Sequence, residues 1–330
     1  LSLHDVHRYY RLKTIGTNRS KIPSATGVNS SLYLRPKRIQ PIMKKIDIKA
    51  SKAVDQTSIP LKTNFDRNCQ DQFTKQGYLR LGKILSTESL QMLQNRIQDI
   101  MLGHIKYQNM RLQFYQDDNG NVRRTLGHKV ATLGYRRIDD LEQDPLFLSY
   151  IQHPLFRQIA NYYIGEQVSI FRSMLMNKPP QLSQALPWHQ DIGSGWGIDT
   201  NPIVTIWTAL DKATTDTGCM QIVPGSQQYG IINQKHFLSE KEEATYVPKG
   251  STIELEAEAG EAILIHNFLL HRSGTNSTPI SRRAFSVTYM EAQTQTLDTG
   301  QTFPIVFGKN ALDPKTVNAK ANELVEKFYG

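Results

Sequence analysis

A histidine and an aspartate lie two residues apart in the segment Pro187–Trp188–His189–Gln190–Asp191. On an extended strand, residues i and i+2 project from the same face, roughly 6.5–7 Å apart along the chain. His189 and Asp191 can therefore bind one metal ion together, with Gln190 turned away. Because a His-x-Asp pair by itself is common on protein surfaces, this pair needs a third ligand before it predicts a metal site.

A second segment that carries histidines lies at residues 265–274 (IHNFLLHRSG). Two histidines and one carboxylate form the facial triad of non-haem Fe(II) oxygenases, which leaves three coordination positions open for substrate chemistry. His189 and Asp191 would supply two of these ligands. The third must come from far along the chain, and a β-barrel can return it to the same opening.

His266 and His271 compete for the third position. They are five residues apart, so in a regular strand they face opposite sides and only one can point inward. Ser273 shares the parity of His271, and Arg282 opens the next strand, where its planar guanidinium could bind a carboxylate through two hydrogen bonds. We therefore predict that His271 is the third ligand and that His266 is a hydrogen-bonded histidine beside the core.

The elements around these residues change in character at Val168. The runs that follow, such as VSIFRSMLMN, IVTIWTAL, EAILIHNFLL and RAFSVTYM, are rich in β-branched and aromatic residues and are separated by Pro/Gly turns. They predict a β-sandwich or barrel. Upstream, Ser86 is the predicted N-cap of one helix, and Pro145 and Pro154 open two more. The run at residues 117–120 (DDNG) predicts a turn.

Several longer motifs occur in order along the chain: FTKQGYLRL near the start, MNKPP at 176–180, PWHQD at 187–191, TIWTAL at 205–210, GCMQIVPGS at 218–226, AGEAILIHNFLLHRSGTNS at 259–277, and the pair Arg282–Arg283. From about Phe65 to Glu291 the sequence resembles the phytanoyl-CoA dioxygenase family of Fe(II)- and 2-oxoglutarate-dependent oxygenases. Several ordered motifs at compatible spacing indicate this family far more strongly than His-x-Asp alone.

The resemblance implies a mainly β fold with flanking N-terminal helices, in which the core is a double-stranded β-helix, also called a jelly roll and similar to the cupins. It implies Fe(II) held by His189, Asp191 and His271. In the halogenases of this family a small residue replaces the carboxylate so that chloride can bind there. Since Asp191 is present, the resemblance favours an oxygenase that uses O2.

The resemblance also implies a binding site for the cosubstrate 2-oxoglutarate. The distal carboxylate is expected on Arg282 with support from Ser273, and Trp207 and Met174 are expected to line the pocket. Trp207 and Met174 could equally be core residues, as apolar side chains in alternating strands usually are. The implied reaction oxidises a C–H bond of a small metabolite, most simply by hydroxylation, with release of succinate and CO2.

Residues 188–200 (WHQDIGSGWGIDT) combine two tryptophans, Trp188 and Trp196, with a glycine-rich stretch beside the predicted metal. This composition predicts a loop over the substrate, which both tryptophans would contact. The alternative is an ordinary connecting turn.

Two other functions use the same ligands. One is a cupin-like metal- or ligand-binding protein without turnover. The other is a zinc hydrolase, in which a His/Asp/His site leaves one position for water. Arg282 and the three open positions argue against both, and a zinc hydrolase would also need a second acid as general base.

Charge and cysteine content exclude further classes. The chain has 39 Lys and Arg against 30 Asp and Glu, but residues 1–62 alone hold 13 basic and 3 acidic side chains. The remainder is close to neutral, which argues against nucleic-acid binding. The two cysteines, Cys69 and Cys219, are too far apart in sequence for a CxxC pair, and they indicate a reducing, cytoplasmic location. No apolar run reaches the length of a membrane span, so no membrane partner is predicted.

The basic segment 1–62 is predicted to lie outside a single oxygenase domain over residues 63–330, with its jelly-roll core at about 168–292. Three interpretations of the segment compete: an organellar targeting sequence, a disordered arm, and translation from Met43, which opens the plausible start MKKIDIK. We favour the third, so residues 1–42 are expected to contribute nothing to the fold.

Overall fold

The computed structural model describes residues 64–116, 122–180, 183–318 and 321–329. Its helices are α1 (Arg67–Gln76), α2 (Thr87–Leu102), α3 (Pro145–Ile151), α4 (Pro154–Tyr163), α5 (Glu240–Tyr246) and α6 (Ala321–Tyr329). Its strands are β1 (Tyr78–Lys83), β2 (Arg111–Gln116), β3 (Val122–Leu126), β4 (Tyr135–Asp139), β5 (Val168–Lys178), β6 (Leu186–His189), β7 (Val204–Ala209), β8 (Met220–Ile222), β9 (Ile253–Leu255), β10 (Glu261–His266), β11 (His271–Ser273), β12 (Arg282–Glu291) and β13 (Ile305–Phe307). The segment 1–62 and the turn predicted at 117–120 lie outside the described residues.

The N-terminal helices begin where their capping residues predict. The hydroxyl of Ser86 accepts a hydrogen bond from the backbone N–H of Ser89 (3.1 Å) at the start of α2. The carboxylate of Asp144 accepts from the N–H of Leu146 (3.0 Å) at the start of α3, where Pro145 occupies the first turn. Such caps satisfy donors that the helix itself leaves unpaired. Among the described helices, none has both the length and the apolar character needed to cross a membrane.

Strands β5 to β12 alternate between two antiparallel sheets. In the larger sheet β5, β12, β7 and β10 are neighbours in that order, and the smaller sheet has the order β6–β11–β8–β9. The chain therefore passes from β5 to the smaller sheet, back to β7, across again to β8 and β9, and returns in the same manner to β12. This winding is the topology of a jelly roll, and it confirms the predicted fold.

The larger sheet continues beyond these jelly-roll strands at both edges. β1 pairs with β10 at one edge, and β4, β2 and β3 extend the sheet past β5 at the other, where β13 also pairs with β5. The pattern over residues 103–135 predicts only a mixed stretch. These strands are short and rich in arginine, so their alternation of apolar and polar residues is too weak to mark a strand.

Two apolar clusters hold the elements together. The larger one packs α1 to α4 and α6 against the outer face of the larger sheet through residues such as Leu93, Phe147, Ile159 and Phe285. The second lies between the two sheets and includes Trp207, Ile222, Ile263 and Ala284. The first cluster supports the larger sheet from its outer face. The second fills part of the space between the two sheets, which is also where the predicted site residues lie.

Glu142 provides a pH-dependent contribution to stability away from the predicted metal site. Its carboxylate accepts a hydrogen bond from the hydroxyl of Ser173 (2.6 Å). Burial, followed by the charge of Asp140, raises the pKa of Glu142 to about 7. The carboxyl group titrates near its ordinary value in the unfolded chain, so its contribution is complete below that value. It is lost as the pH rises through about 7.

We expect Glu142→Gln to remove the loss of stability that accompanies ionisation of Glu142 near pH 7. The free energy of unfolding in urea, measured at pH 5 and pH 8, should fall less between the two values in the variant than in the parent. Glu240→Gln, on an exposed helix, is the matched control and should keep the parent's pH dependence. An identical pH dependence in the Glu142 variant would contradict the assignment.

Candidate metal centre

His189 and His271 face each other on neighbouring strands of the smaller sheet. They are directly opposed in the register of β6 and β11, and their ring centroids are 4.0 Å apart. Nδ1 of His189 lies 2.8 Å from the carbonyl oxygen of Pro187, and Nδ1 of His271 lies 2.9 Å from that of Leu269. A carbonyl can only accept, so each Nδ1 carries the proton and each Nε2 keeps its lone pair for a metal.

Asp191 brings a carboxylate to the same place. Its backbone N–H donates to the carbonyl of Asn267 (2.8 Å), and its Oδ2 lies 4.0 Å from Nε2 of His271. Burial raises the pKa of Asp191, but the positive charge of Arg172, with smaller effects from the histidines, outweighs burial and holds the pKa well below its usual range. Asp191 is therefore an anion at neutral pH.

These donors fit Fe(II). Two imidazole nitrogens and one carboxylate are the ligand set of non-haem Fe(II) oxygenases, and both imidazoles are held in the tautomer that such a site requires. Burial, followed by the nearby His271 and His236, lowers the pKa of His189 well below its ordinary value. The ring is therefore neutral, which is the form that binds a metal. Gln190 points away, as predicted, and donates to the carbonyls of Gly230 and Phe268.

A third histidine, His236, also lies at this centre, and the sequence pattern did not indicate it. One ligand atom each from His189, Asp191 and His236 lie within 4.8 Å of one another. Burial lowers the pKa of His236 to about 4. The residue lies in an irregular segment between β8 and α5, so no strand or helix periodicity could have indicated where it points.

Arg172 is a second residue that the sequence analysis missed. Its Nη2 lies 3.1 Å from Oδ2 of Asp191, and its guanidinium carbon lies 4.0 Å from the centre of a ring of Trp196. Trp196 in turn stacks on Phe171, with centroids 4.9 Å apart. Arg172 thus joins the carboxylate to the predicted substrate loop. The sequence did contain a signal for it: Arg172 lies two residues before Met174 on a predicted strand, so both side chains are expected on the same face.

Arg282 supplies a buried cation at the predicted cosubstrate position. The side chain is only 3% exposed, its Nη2 donates to the carbonyl of Gly218 (2.7 Å), and its Nε–H has no partner in the part of the chain that the structure describes. Burial lowers the pKa of Arg282 to about 10. Buried polar groups are nearly always paired, so the unpaired N–H and the missing counter-charge fit a carboxylate from a bound molecule.

Gly218 holds the carbonyl that Arg282 contacts. It has a φ of +75°, and a Cβ atom at this position would come within 2.6 Å of the carbonyl oxygen of Gly274. Only glycine meets both requirements. Gly218 therefore helps to set the position of the arginine.

A row of side chains lies across the larger sheet on the face that carries Arg282. Met174, Ser286 and Trp207 are directly opposed on β5, β12 and β7, so their side chains share a face with Arg282. The guanidinium carbon of Arg282 lies 6.0 Å from the centre of a Trp207 ring. Lys178, opposite Arg282 in the register of β5 and β12, adds a second buried amine. Its pKa is lowered to about 7 by burial and by the charges of Arg282 and Arg136.

The other predicted site residues have different surroundings. Ser273 is buried on β11, with the parity of His271. Trp188 is also buried but packs with Val223 and Leu270 in a separate cluster, so the structure does not bring it to the face of His189. His266, at the end of β10, accepts a hydrogen bond from the N–H of Phe268 at Nδ1 (3.0 Å).

Comparison with known proteins agrees with this geometry. The family model for phytanoyl-CoA dioxygenase matches residues 73–284. The chain is 27% identical over 235 residues to a Caenorhabditis elegans protein named probable phytanoyl-CoA dioxygenase, covering 66% of this chain and 72% of that protein. It is 24% identical over 209 residues to the peroxisomal phytanoyl-CoA dioxygenase of Mus musculus, covering 59% and 57%.

Solved structures share the fold. EctD from S. alaskensis, in a crystal structure with 2-oxoglutarate and 5-hydroxyectoine, has a TM-score of 0.58 at 18% identity and covers 78% of this chain and 87% of its own. SnoK, described as a non-heme alpha ketoglutarate dependent carbocyclase from nogalamycin biosynthesis, has a TM-score of 0.53 at 17% identity, with coverage of 71% and 87%. The likeness extends over most of the described residues.

Proposed function

Because the chain belongs to the phytanoyl-CoA dioxygenase family and is a non-haem Fe(II)- and 2-oxoglutarate-dependent dioxygenase, we propose that it hydroxylates a C–H bond of a small molecule. We assign His189, Asp191 and His271 as the iron ligands. The observation that carries this proposal is the pair of opposed imidazoles of His189 and His271, each of which donates a hydrogen bond from Nδ1 to a backbone carbonyl, beside the buried carboxylate of Asp191.

With iron and oxoglutarate bound, the centre couples oxidative decarboxylation of oxoglutarate by O2, which yields succinate and CO2, to oxidation of a C–H bond. The chain's own residues position the reactants. Arg282 binds the distal carboxylate of oxoglutarate, with Ser273 beside it, because its unpaired N–H has no other acceptor among the described residues. Trp207 and Met174 keep water away from the cosubstrate, since both are nearly fully buried.

The substrate approaches from the side of Trp196 in this proposal. Trp196 contacts Arg172, which contacts Asp191, so this tryptophan is connected to the metal ligands through one side chain. Trp188 instead packs with Val223 and Leu270 in a different cluster. One relative is named for phytanoyl-CoA and one solved structure contains 5-hydroxyectoine, so we propose a small molecule as the substrate. A cytoplasmic location remains the prediction made from the cysteine content.

Succinate formation tests the proposal. Purified protein loaded anaerobically with Fe(II) is given oxoglutarate and then O2, with and without panels of carboxylic acids, acyl thioesters and amino-acid derivatives. We expect oxoglutarate consumption and succinate release in equal amounts, only with Fe(II) and O2 together, and faster with a true substrate. The same protein loaded with Zn(II) is the control and should release none.

Two outcomes would contradict this function. Oxoglutarate that binds tightly to the Fe(II) protein without any succinate release, across all panels, would indicate a binding protein without turnover. Hydrolysis of an ester or amide by the Zn(II) protein, which depends on His189 and Asp191, would indicate the zinc hydrolase considered above.

A further inference from the structure

His236 is held in an unusual position by the strand that carries the metal ligands. Its carbonyl accepts a hydrogen bond from the N–H of Gln190 (3.4 Å), and the N–H of Leu238 donates to the carbonyl of Trp188 (2.9 Å). The side chain of Gln190 also accepts from the N–H of Ile232 (2.9 Å). These contacts fasten the segment that precedes α5 directly onto the His189–Asp191 strand.

The backbone of His236 adopts a conformation that costs energy. Its φ is +67°, in the left-handed region that residues other than glycine rarely occupy. Conformations of this kind persist only when the surrounding structure enforces them, and they concentrate at functional sites. Here the strain places an imidazole beside the metal ligands.

The imidazole of His236 lies at the metal centre with one ring nitrogen open. Its ring centroid lies 4.8 Å from that of His189, and it has a ligand atom within 4.8 Å of those of His189 and Asp191. Its Nδ1 is buried and has no hydrogen-bond partner among the described residues. In His189 and His271 the Nδ1 atom is instead bonded to a backbone carbonyl, as in a permanent ligand that binds through Nε2.

We propose that His236 is a displaceable fourth ligand, which binds the metal ion through a ring nitrogen in the absence of cosubstrate and releases it when oxoglutarate binds. This inference rests on the proposed function. The triad leaves three positions open, and oxoglutarate and O2 together need all three. A fourth protein ligand can therefore occupy one of them only while the cosubstrate is absent, and it limits the reaction of the metal with O2 until then.

Metal affinity with and without cosubstrate tests this inference. The full chain, His236→Ala and His236→Gly are compared by anaerobic Fe(II) binding, in the absence of oxoglutarate and at saturating oxoglutarate. The glycine variant removes the imidazole without the strain that φ +67° imposes on alanine. Without oxoglutarate, we expect both variants to bind Fe(II) about 10-fold more weakly than the parent does. At saturating oxoglutarate, we expect the variants and the parent to bind Fe(II) with equal affinity.

By linkage, a second expectation follows from the first and is checked by a separate measurement. If His236 competes with oxoglutarate, its removal must tighten oxoglutarate binding to the Fe(II)-loaded protein by the same factor, about 10-fold. Without oxoglutarate, the visible absorption spectra of the Co(II)-loaded parent and variants should differ. With oxoglutarate bound, the spectra of parent and variants should be the same. His266→Ala, which removes another half-buried histidine, is the matched control and should change none of these quantities.

Each alternative has its own result. Equal loss of Fe(II) affinity in both conditions would make His236 a permanent ligand, and unchanged affinity would place it outside the coordination sphere. Weaker oxoglutarate binding in the variants would make it a hydrogen-bond donor to the cosubstrate. All three outcomes overturn the inference and leave the proposed function intact, whereas a parent protein that binds no Fe(II) would overturn both.

Discussion

Replacing His271 by alanine is expected to leave a folded protein that has lost Fe(II) binding. The variant removes one of three permanent ligands, so affinity should fall by about 100-fold or more, given that even the residues that orient ligands account for 10–100-fold. The fold should survive, because the imidazole contributes one hydrogen bond to Leu269, worth about 1 kcal/mol. Iron content after gel filtration and anaerobic titration measures the loss, and succinate release should disappear with it.

His266→Ala is the matched variant, five residues earlier in the chain. Its side chain packs near Phe73 with ring centroids 5.8 Å apart and accepts from the N–H of Phe268, so its loss should cost about 1–3 kcal/mol of folding free energy. Iron binding should remain. Iron that is lost from the His266 variant and retained by the His271 variant would reverse the assignment of the third ligand.

The second large effect is expected at Arg282. Its replacement should weaken oxoglutarate binding without lowering the stability of the cosubstrate-free protein. Arg282→Met should weaken oxoglutarate binding to the Fe(II) protein by about 100-fold or more, since removing one partner of a buried charged pair costs at least about 2–5 kcal/mol. The cosubstrate-free protein should not become less stable. Burial of this cation without a counter-charge is unfavourable, and an apolar side chain of similar size is often neutral or stabilising at such a site.

Arg283→Met provides the control, because adjacent residues of a strand face opposite sides. Arg283 makes an ion pair with Asp211 at 2.8 Å in a partly exposed place. Its removal should lower stability by about 1 kcal/mol or less and leave oxoglutarate affinity unchanged. Calorimetric titration and thermal unfolding of both variants give the two quantities. An Arg282 variant that binds oxoglutarate like the parent, or that unfolds at a much lower temperature, would contradict the prediction.

Strand parity carried much of the prediction from sequence. It placed His189 and Asp191 on one face and turned Gln190 away, and the positions of these side chains agree. The premise that one regular strand runs through His266 and His271 was wrong, because residues 267–270 form a turn and the two histidines lie on strands of different sheets. The same rule places Trp188 opposite to His189, so a contact between Trp188 and substrate was already in conflict with the pattern. Strand parity could not predict the position of Trp196, because this residue lies beyond the end of the strand.

The sequence by itself determined a β-sandwich or barrel, the helix starts and the shared face of His189 and Asp191, because these follow from local preferences that repeat every two or 3.6 residues. The jelly-roll topology was implied by the family resemblance. The tertiary structure alone decided that His236 and Arg172 meet at Asp191. His236 lies in an irregular segment whose course depends on hydrogen bonds to Trp188 and Gln190, and Arg172 on β5 of the larger sheet meets Asp191, which follows β6 of the smaller sheet. Contacts of this kind depend on long-range packing, which no local pattern encodes.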